Sequence, residues 1–64
     1  MISLVRQNGH PLIVNADLIE TVELTDEGTT VVTLTTGNVL AVVDAPEAVR
    51  AAVVAYRRSI AAPP

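Results

Sequence analysis

The chain has 64 residues, enough for one small domain, and it contains no cysteine that could form a disulfide. Its formal net charge is −3, with only four Lys or Arg residues, which disfavours a surface for nucleic acid or anionic membranes. Half of the residues are hydrophobic, yet one tyrosine is the only aromatic side chain. Because a core of small aliphatic groups is marginal at this length, we expect a homo-oligomer.

Five antiparallel strands and one C-terminal helix are predicted, giving a mainly β (α+β) fold. Turn signals recur at short intervals through residue 38, as they do in a β-meander. We expect strands at about 2–6, 11–15, 19–25, 29–35 and 39–43, and a helix at about 45–60. These elements make a single domain over residues 1–60, followed by a disordered tail at 61–64.

The first hairpin is predicted from the dipeptide Asn8-Gly9, which is preferred in two-residue type I′ turns. With these two residues as the loop, Leu4 lies beside Ile13 on one face of the hairpin. Neither face is polar, so we expect both to be covered, by the domain's own elements or by a second copy. Pro11 lacks an N–H and leaves that flank of the second strand unpaired, which makes it an exposed edge.

The third strand raises a question about one carboxylate. Val22 and Leu24 are predicted to point inward, and strict alternation places Glu20 on the same face. Either an irregularity at the start of the strand or a salt bridge to Arg6 would accommodate Glu20. Gly28 is predicted at the positive-φ position of a type I turn with a bulge. The sequence allows two centres for the loop at 36–38, Thr36-Gly37 or Gly37-Asn38, and the two choices give different strand registers.

The helix is predicted to begin with a capping box, in which Asp44 is the N-cap and Glu47 lies at N3. A core-facing stripe follows at spacings of four, three and four residues: Val49, Val53, Tyr56 and Ile60. The opposite side is also apolar, at Ala51, Val54 and Ala55. A helix that closes a single sheet needs one apolar stripe, so the second side is a candidate interface.

Three groups of residues resemble functional sites, but the sequence does not favour a site at any of them. No pocket is evident around Asp17, Glu20 and Glu23. Glu20 and Glu23 lie three residues apart in a strand and therefore point to opposite faces, so neither a catalytic nor a calcium site is expected. His10 is the only histidine and there is no cysteine, so no metal or cofactor is expected. The arginines at 50, 57 and 58 lack the stacking aromatics of a nucleic-acid surface.

The ordered motifs resemble a known family. Arg6, Asn8 and Gly9 fit an opening strand that ends in Arg-x-Asn-Gly, and Asn15-Ala16 with Ile19-Glu20 fits Asn-Ala-x-x-Ile-Glu. Together with the Thr-Leu-Thr-x-Gly turn at 33–37, they make the chain similar to the small flagellar FlbD-type proteins, including the SwrD branch. The resemblance covers nearly all of residues 1–60. The chain departs from that pattern at Ile13, where an aromatic is expected, and at Asn38 and Val39, where a basic pair is expected.

The resemblance implies a role in bacterial flagellar motility, in swarming and motor output, through protein contacts and without catalysis. A large transcriptional activator shares the FlbD name, but this chain has no Walker motif. We expect a cytoplasmic protein, peripheral at the flagellar base, that binds itself and a flagellar motor or basal-body protein, without nucleic acid or membrane insertion. The alternative is a small β-rich nucleic-acid-binding or regulatory module. The predicted interface residues are Arg50, Ala51, Val54, Arg57, Arg58, Pro11 and Ile13.

Overall fold

The computed structural model describes residues 1–61, except the side chain of Ala61. The strands are β1 (Ile2–Val5), β2 (Pro11–Val14), β3 (Ile19–Leu24), β4 (Thr30–Leu34) and β5 (Val39–Val42), followed by the helix α1 (Pro46–Ala61). A short 3₁₀ turn at Ala16–Leu18 connects β2 to β3. The mainly β class, with five antiparallel strands and a C-terminal helix, is confirmed. Residues 62–64 of the predicted tail lie outside the described residues.

The strands are divided between two antiparallel sheets, β1-β2 and β3-β4-β5. A single bridge, between Arg6 and Val42, joins the end of β1 to the end of β5. On either side of it, the Val43 N–H donates to the Val5 carbonyl at 2.8 Å and the Gln7 N–H donates to the Ala41 carbonyl at 3.2 Å. The two sheets therefore share one hydrogen-bonded seam, although they are separate along the rest of their length.

All three hairpin loops have the same backbone design. In each, the N–H of a glycine donates to the carbonyl three residues earlier, and the residue at that earlier position donates its N–H across the loop. Each glycine has a positive φ, between 84° and 93°, and no other residue between 1 and 61 does. This is a type I turn followed by a glycine bulge, which gives a three-residue loop. The loops are Gln7–Gly9, Asp26–Gly28 and Thr35–Gly37.

This design corrects the predicted register of the first hairpin. A type I′ turn needs a positive φ at both central residues, but Asn8 does not have one. Its side-chain oxygen instead accepts the N–H of His10 at 3.0 Å, which favours the longer loop. Leu4 therefore pairs with Leu12, and Ile13 pairs with Ser3, so Leu4 and Ile13 lie on opposite faces. In the last hairpin, the three-residue loop replaces both predicted centres, and Thr33 pairs with Val39.

A β-bulge at the start of β3 resolves the question of Glu20. Ile19 pairs with Leu34 and Thr21 pairs with Thr33, so β3 carries one extra residue between them. The bulge lets Ile19 and Val22 both pack against the core while Glu20 is exposed. Within residues 1–61 no ion pair joins Glu20 to Arg6, so the bulge, and not a salt bridge, accommodates Glu20. Leu24 does not extend the core as predicted, because it lies at the uncovered end of β3 and is 61% exposed.

The core lies between the inner faces of the two sheets and one side of α1. Its buried members are small aliphatic residues from every layer: Ile2, Leu4, Val14, Ala16, Val32, Val42 and Val49. Ala52, Val53 and Tyr56 of α1 pack against them. Ile60, the fourth residue of the predicted stripe, is 62% exposed. It has the right periodicity but lies beyond Tyr56, in the last turns of α1, where residues 57–60 are all exposed.

The predicted capping box is wrong, because Asp44 has another partner. The Ala45 carbonyl accepts the first helical bonds, from Ala48 at 2.9 Å and Val49 at 3.1 Å, so Ala45 is the N-cap residue. Pro46 then occupies the first helical position, which proline prefers. The Asp44 carboxylate accepts the backbone N–H of Val5 at 2.8 Å. One carboxylate thus attaches the end of β1 to the connection between β5 and α1.

Candidate protein-binding surfaces

The first candidate surface is a groove between β2 and the β4–β5 hairpin, which we call the hairpin groove. It encloses about 350 Å³. Its walls are Leu12–Val14 of β2, Leu18 of the 3₁₀ turn, and Leu34, Val39 and Leu40 of the hairpin. Two amides, Asn15 and Asn38, are its polar groups. Ile13 and Val39 stand at its rim and are 70% and 62% exposed.

The edge of β2 borders the hairpin groove, and its hydrogen-bonding groups can be assigned. The Arg6 N–H donates to the His10 carbonyl at 2.9 Å, so the bonded pairs of the hairpin alternate from there. Leu4 and Leu12 form a bonded pair, whereas Ile13 belongs to a non-bonded pair with Ser3. The backbone N–H and carbonyl of Ile13 consequently point away from β1, toward the outer edge.

The hydrogen bonds of Val5 agree with this orientation of the Ile13 backbone groups. It pairs with Pro11 in the same non-bonded class as Ser3 and Ile13. Its carbonyl accepts from Val43 at 2.8 Å, and its N–H donates to the Asp44 carboxylate at 2.8 Å, both on the side away from β2. By the same alternation, the free groups of Ile13 lie on the opposite edge of the hairpin. Pro11 offers only its carbonyl there, which shortens the usable edge.

The second candidate surface lies between α1 and β3, and we call it the helix groove. It encloses about 310 Å³ and is lined by Ile19 and Val22 of β3 and by Val53 and Val54 of α1. Pro46, Glu47 and Arg50 complete it at the start of the helix. Arg50 and Glu47 approach each other at 3.8 Å, with side chains 73% and 85% exposed, so this ion pair is weak.

The predicted interface residues lie on β2 and on α1, only three of them line a groove, and they do not form one site. Pro11 and Ile13 are exposed on β2, and Ile13 lines the hairpin groove. On α1, Val54 and Arg50 line the helix groove. The other three predicted residues, Ala51, Arg57 and Arg58, are exposed on the helix. Contact of these seven residues with a partner stays a prediction.

The sequence did not indicate the far wall of the hairpin groove. The sequence predicts strands at Leu34, Val39 and Leu40, but nothing in their spacing shows that they face β2 across a gap. That placement depends on how the two sheets pack. Only the position of Val39, an apolar residue directly after a turn, gave a local signal that it would be exposed.

The β2–β3 connection is a polar corner, and the acidic residues in and after it do not form a site. The Asn15 side chain accepts the N–H of Asp17 at 3.0 Å and so begins the 3₁₀ turn, in which Ala16 is fully buried. Asp17, Glu20 and Glu23 are exposed. Among residues 1–61 no three His, Cys, Asp or Glu side chains are grouped as a metal site would require. In the same range, no helix has the length and apolarity needed to cross a bilayer.

Comparison with known proteins identifies a family. A family model described as FlbD, flagellar and swarming motility proteins, matches residues 1–61. Neither a curated protein nor a solved structure matches the chain. The match covers all five strands and the helix, including both grooves.

Proposed function

We propose that this chain, which belongs to the FlbD family of flagellar and swarming motility proteins, supports motility by binding another protein and not by catalysis. The observation that carries the proposal is the hairpin groove beside the free edge of β2. An apolar groove next to unpaired backbone groups is the arrangement that accepts an extended segment by strand addition. The partner is a protein of the flagellar motor or basal body, and the site of action is cytoplasmic.

The chemistry of the groove defines the segment that fits. The N–H and carbonyl of Ile13 can exchange two hydrogen bonds with one residue of an added strand, and the Pro11 carbonyl can accept a third. Side chains that alternate along such a strand would enter the groove between Leu12 and Leu40, where the lining is apolar. The partner segment is therefore short and extended, with one or two aliphatic residues that fill about 350 Å³.

Pro11 limits this edge to a small number of bonds. A long unpaired edge recruits other strands indiscriminately, and proline is one of the devices by which proteins prevent this. Because Pro11 donates no hydrogen bond, affinity must come from the side chains in the groove as much as from the backbone. This favours a specific, reversible contact.

The proposal is tested with Ile13→Glu and Val39→Glu, which place a charge at the rim of the hairpin groove. Both residues are more than half exposed, so we expect the variants to fold. The matched control is Val43→Glu, because Val43 is 56% exposed but does not line the groove. Each variant is expressed in a swarming strain that lacks the native gene, with protein levels checked by immunoblot.

We expect both rim variants to lose swarming and the control to retain it. A photo-crosslinker at position 13 should also join the chain to a flagellar motor or basal-body protein, and Val39→Glu should abolish that product. Normal swarming by both rim variants at normal protein levels would contradict the proposal. Equal loss in all three variants would show that the hairpin groove is not the site.

A further inference from the structure

The side of α1 opposite its core-packing residues carries four residues in line, which we call the outer stripe. They are Glu47, Ala51, Val54 and Arg58, at spacings of four, three and four residues. Two of them, Glu47 and Val54, also line the helix groove beside β3. Glu47, Ala51 and Arg58 are exposed and Val54 is half-buried. None of the four belongs to the core or packs directly against it, in contrast to Val49, Ala52, Val53 and Tyr56.

The outer stripe is complementary to itself when two copies run antiparallel. Glu47 and Arg58 lie equally far from the midpoint between Ala51 and Val54, on opposite sides of it. A two-fold axis at that midpoint sets Glu47 of each copy opposite Arg58 of the other, and Ala51 opposite Val54. A parallel pair would instead oppose like charges at both ends. Sliding the antiparallel pair by one turn would separate both ion pairs.

We propose that a second copy of this chain docks on the outer stripe and forms an antiparallel, two-fold symmetric helix pair. A two-fold interface uses the same surface on both subunits, so each favourable contact occurs twice. The neighbouring exposed residues Ala48 and Ala55 are small, which lets two helix axes approach to about 8 Å, the lower end of the usual range. The apolar centre and the two charge pairs together fix the direction and the register.

The present partner of Glu47 does not prevent this exchange. Glu47 and Arg50 are 3.8 Å apart and both largely exposed, so their ion pair contributes little to stability. Pairing Glu47 with Arg58 of the second copy leaves Arg50 free in solvent. The hairpin groove shares no lining residue with the outer stripe, so the hairpin groove of each subunit stays open in the dimer, and the dimer does not depend on the function proposed above.

The test uses charge reversal in both directions. Glu47→Arg alone sets Arg opposite Arg58 at both ends of the pair, and Arg58→Glu alone sets Glu47 opposite Glu. Each variant should weaken the dimer by roughly tenfold or more, because two attractive contacts become repulsive. A 1:1 mixture of the two variants pairs Arg with Glu and Arg58 with Glu47 in a heterodimer, so it should associate again. The double variant Glu47→Arg/Arg58→Glu should also regain the homodimer.

The measurement is sedimentation equilibrium over a range of concentrations, with helix content followed by circular dichroism. The mixture is the decisive sample, because each variant can restore the interface of the other but cannot restore its folding. Asp26→Arg, an equal change of charge at an exposed hairpin loop, is the matched control and should leave association unchanged. The proposal is overturned if the native chain is monomeric throughout, if the single variants associate normally, or if two folded variants fail to associate when mixed.

Discussion

Removing the Asp44 carboxylate tests the bond that attaches β1 to the start of the helix. Asp44→Ala leaves the partly buried N–H of Val5 without its acceptor at 2.8 Å. Losing a hydrogen bond to a charged group and leaving its partner unsatisfied costs about 2 kcal/mol. A domain of this length has a total stability of roughly 3–10 kcal/mol, so the loss is a large fraction of it. The melting temperature should fall by about 8–16 °C.

Two further substitutions distinguish this bond from a helix cap. Asp44→Asn keeps an oxygen at the same position, so we expect it to lose only the charge and about 1 kcal/mol or less. Asp44→Ser has a shorter side chain that cannot reach Val5, so it should cost as much as alanine. If Asp44 acted only as an N-cap, Asp44→Ser would be about as stable as the native protein, because serine caps a helix as well as aspartate does.

The assay is urea denaturation followed by far-ultraviolet circular dichroism at one protein concentration, because association would alter apparent stability. Asp26→Ala removes a carboxylate from an exposed loop and is the control; it should stay within about 0.5 kcal/mol of the native chain. The reasoning is refuted if Asp44→Ser is as stable as the native protein, or if Asp44→Ala loses less than about 0.5 kcal/mol.

Three other substitutions probe the core, a turn and the bulge, each by the same denaturation. Val49→Ala removes two methyl groups from a fully buried position and should cost about 2 kcal/mol; a loss below about 0.5 kcal/mol would mean that α1 is not packed as described. Gly28→Ala should cost about 1–2 kcal/mol because of the φ of 84° alone, since a methyl group there meets no atom within 4 Å. Gly28→Asn should be better tolerated, and an alanine variant as stable as the native chain would argue against the turn. Glu20→Gln should change stability by less than about 0.5 kcal/mol, because Glu20 is exposed in the bulge and has no ion pair with any residue between 1 and 61; a larger loss would support a bridge to Arg6.

The sequence predicts the order and type of the elements because those depend on local chemistry. Gly28 and its turn, the β-branched strands and Pro46 at the start of the helix are all read from short segments. Asn8-Gly9 shows the limit of such reading. Its glycine has a positive φ in both turn types, so only the conformation of Asn8 decides between a two-residue and a three-residue loop. That one angle changes which face Ile13 occupies.

The remaining differences come from contacts between distant segments. Asp44 has the sequence context of an N-cap, but Val5 competes for its carboxylate across 39 residues. Ile60 and Leu24 have the correct periodicity for a core, yet both side chains are more than half exposed because they lie near the ends of their elements. The hairpin groove depends on the packing of two sheets, so only the Pro11 and Ile13 side of it could be predicted. Its opposite wall is a tertiary feature.

The seam between β1 and β5 has a consequence for how the protein is made. Its bonds join Val5 to Val43 and Gln7 to Ala41, so the first strand is completed by residues near the start of the final helix. During synthesis the amino-terminal hairpin cannot fold stably by itself, since an isolated two-stranded hairpin has marginal stability in water. Contacts of such long sequence separation slow folding, because the chain between them must be ordered first. A chain interrupted before residue 41 should therefore leave no folded fragment, only a substrate for proteolysis.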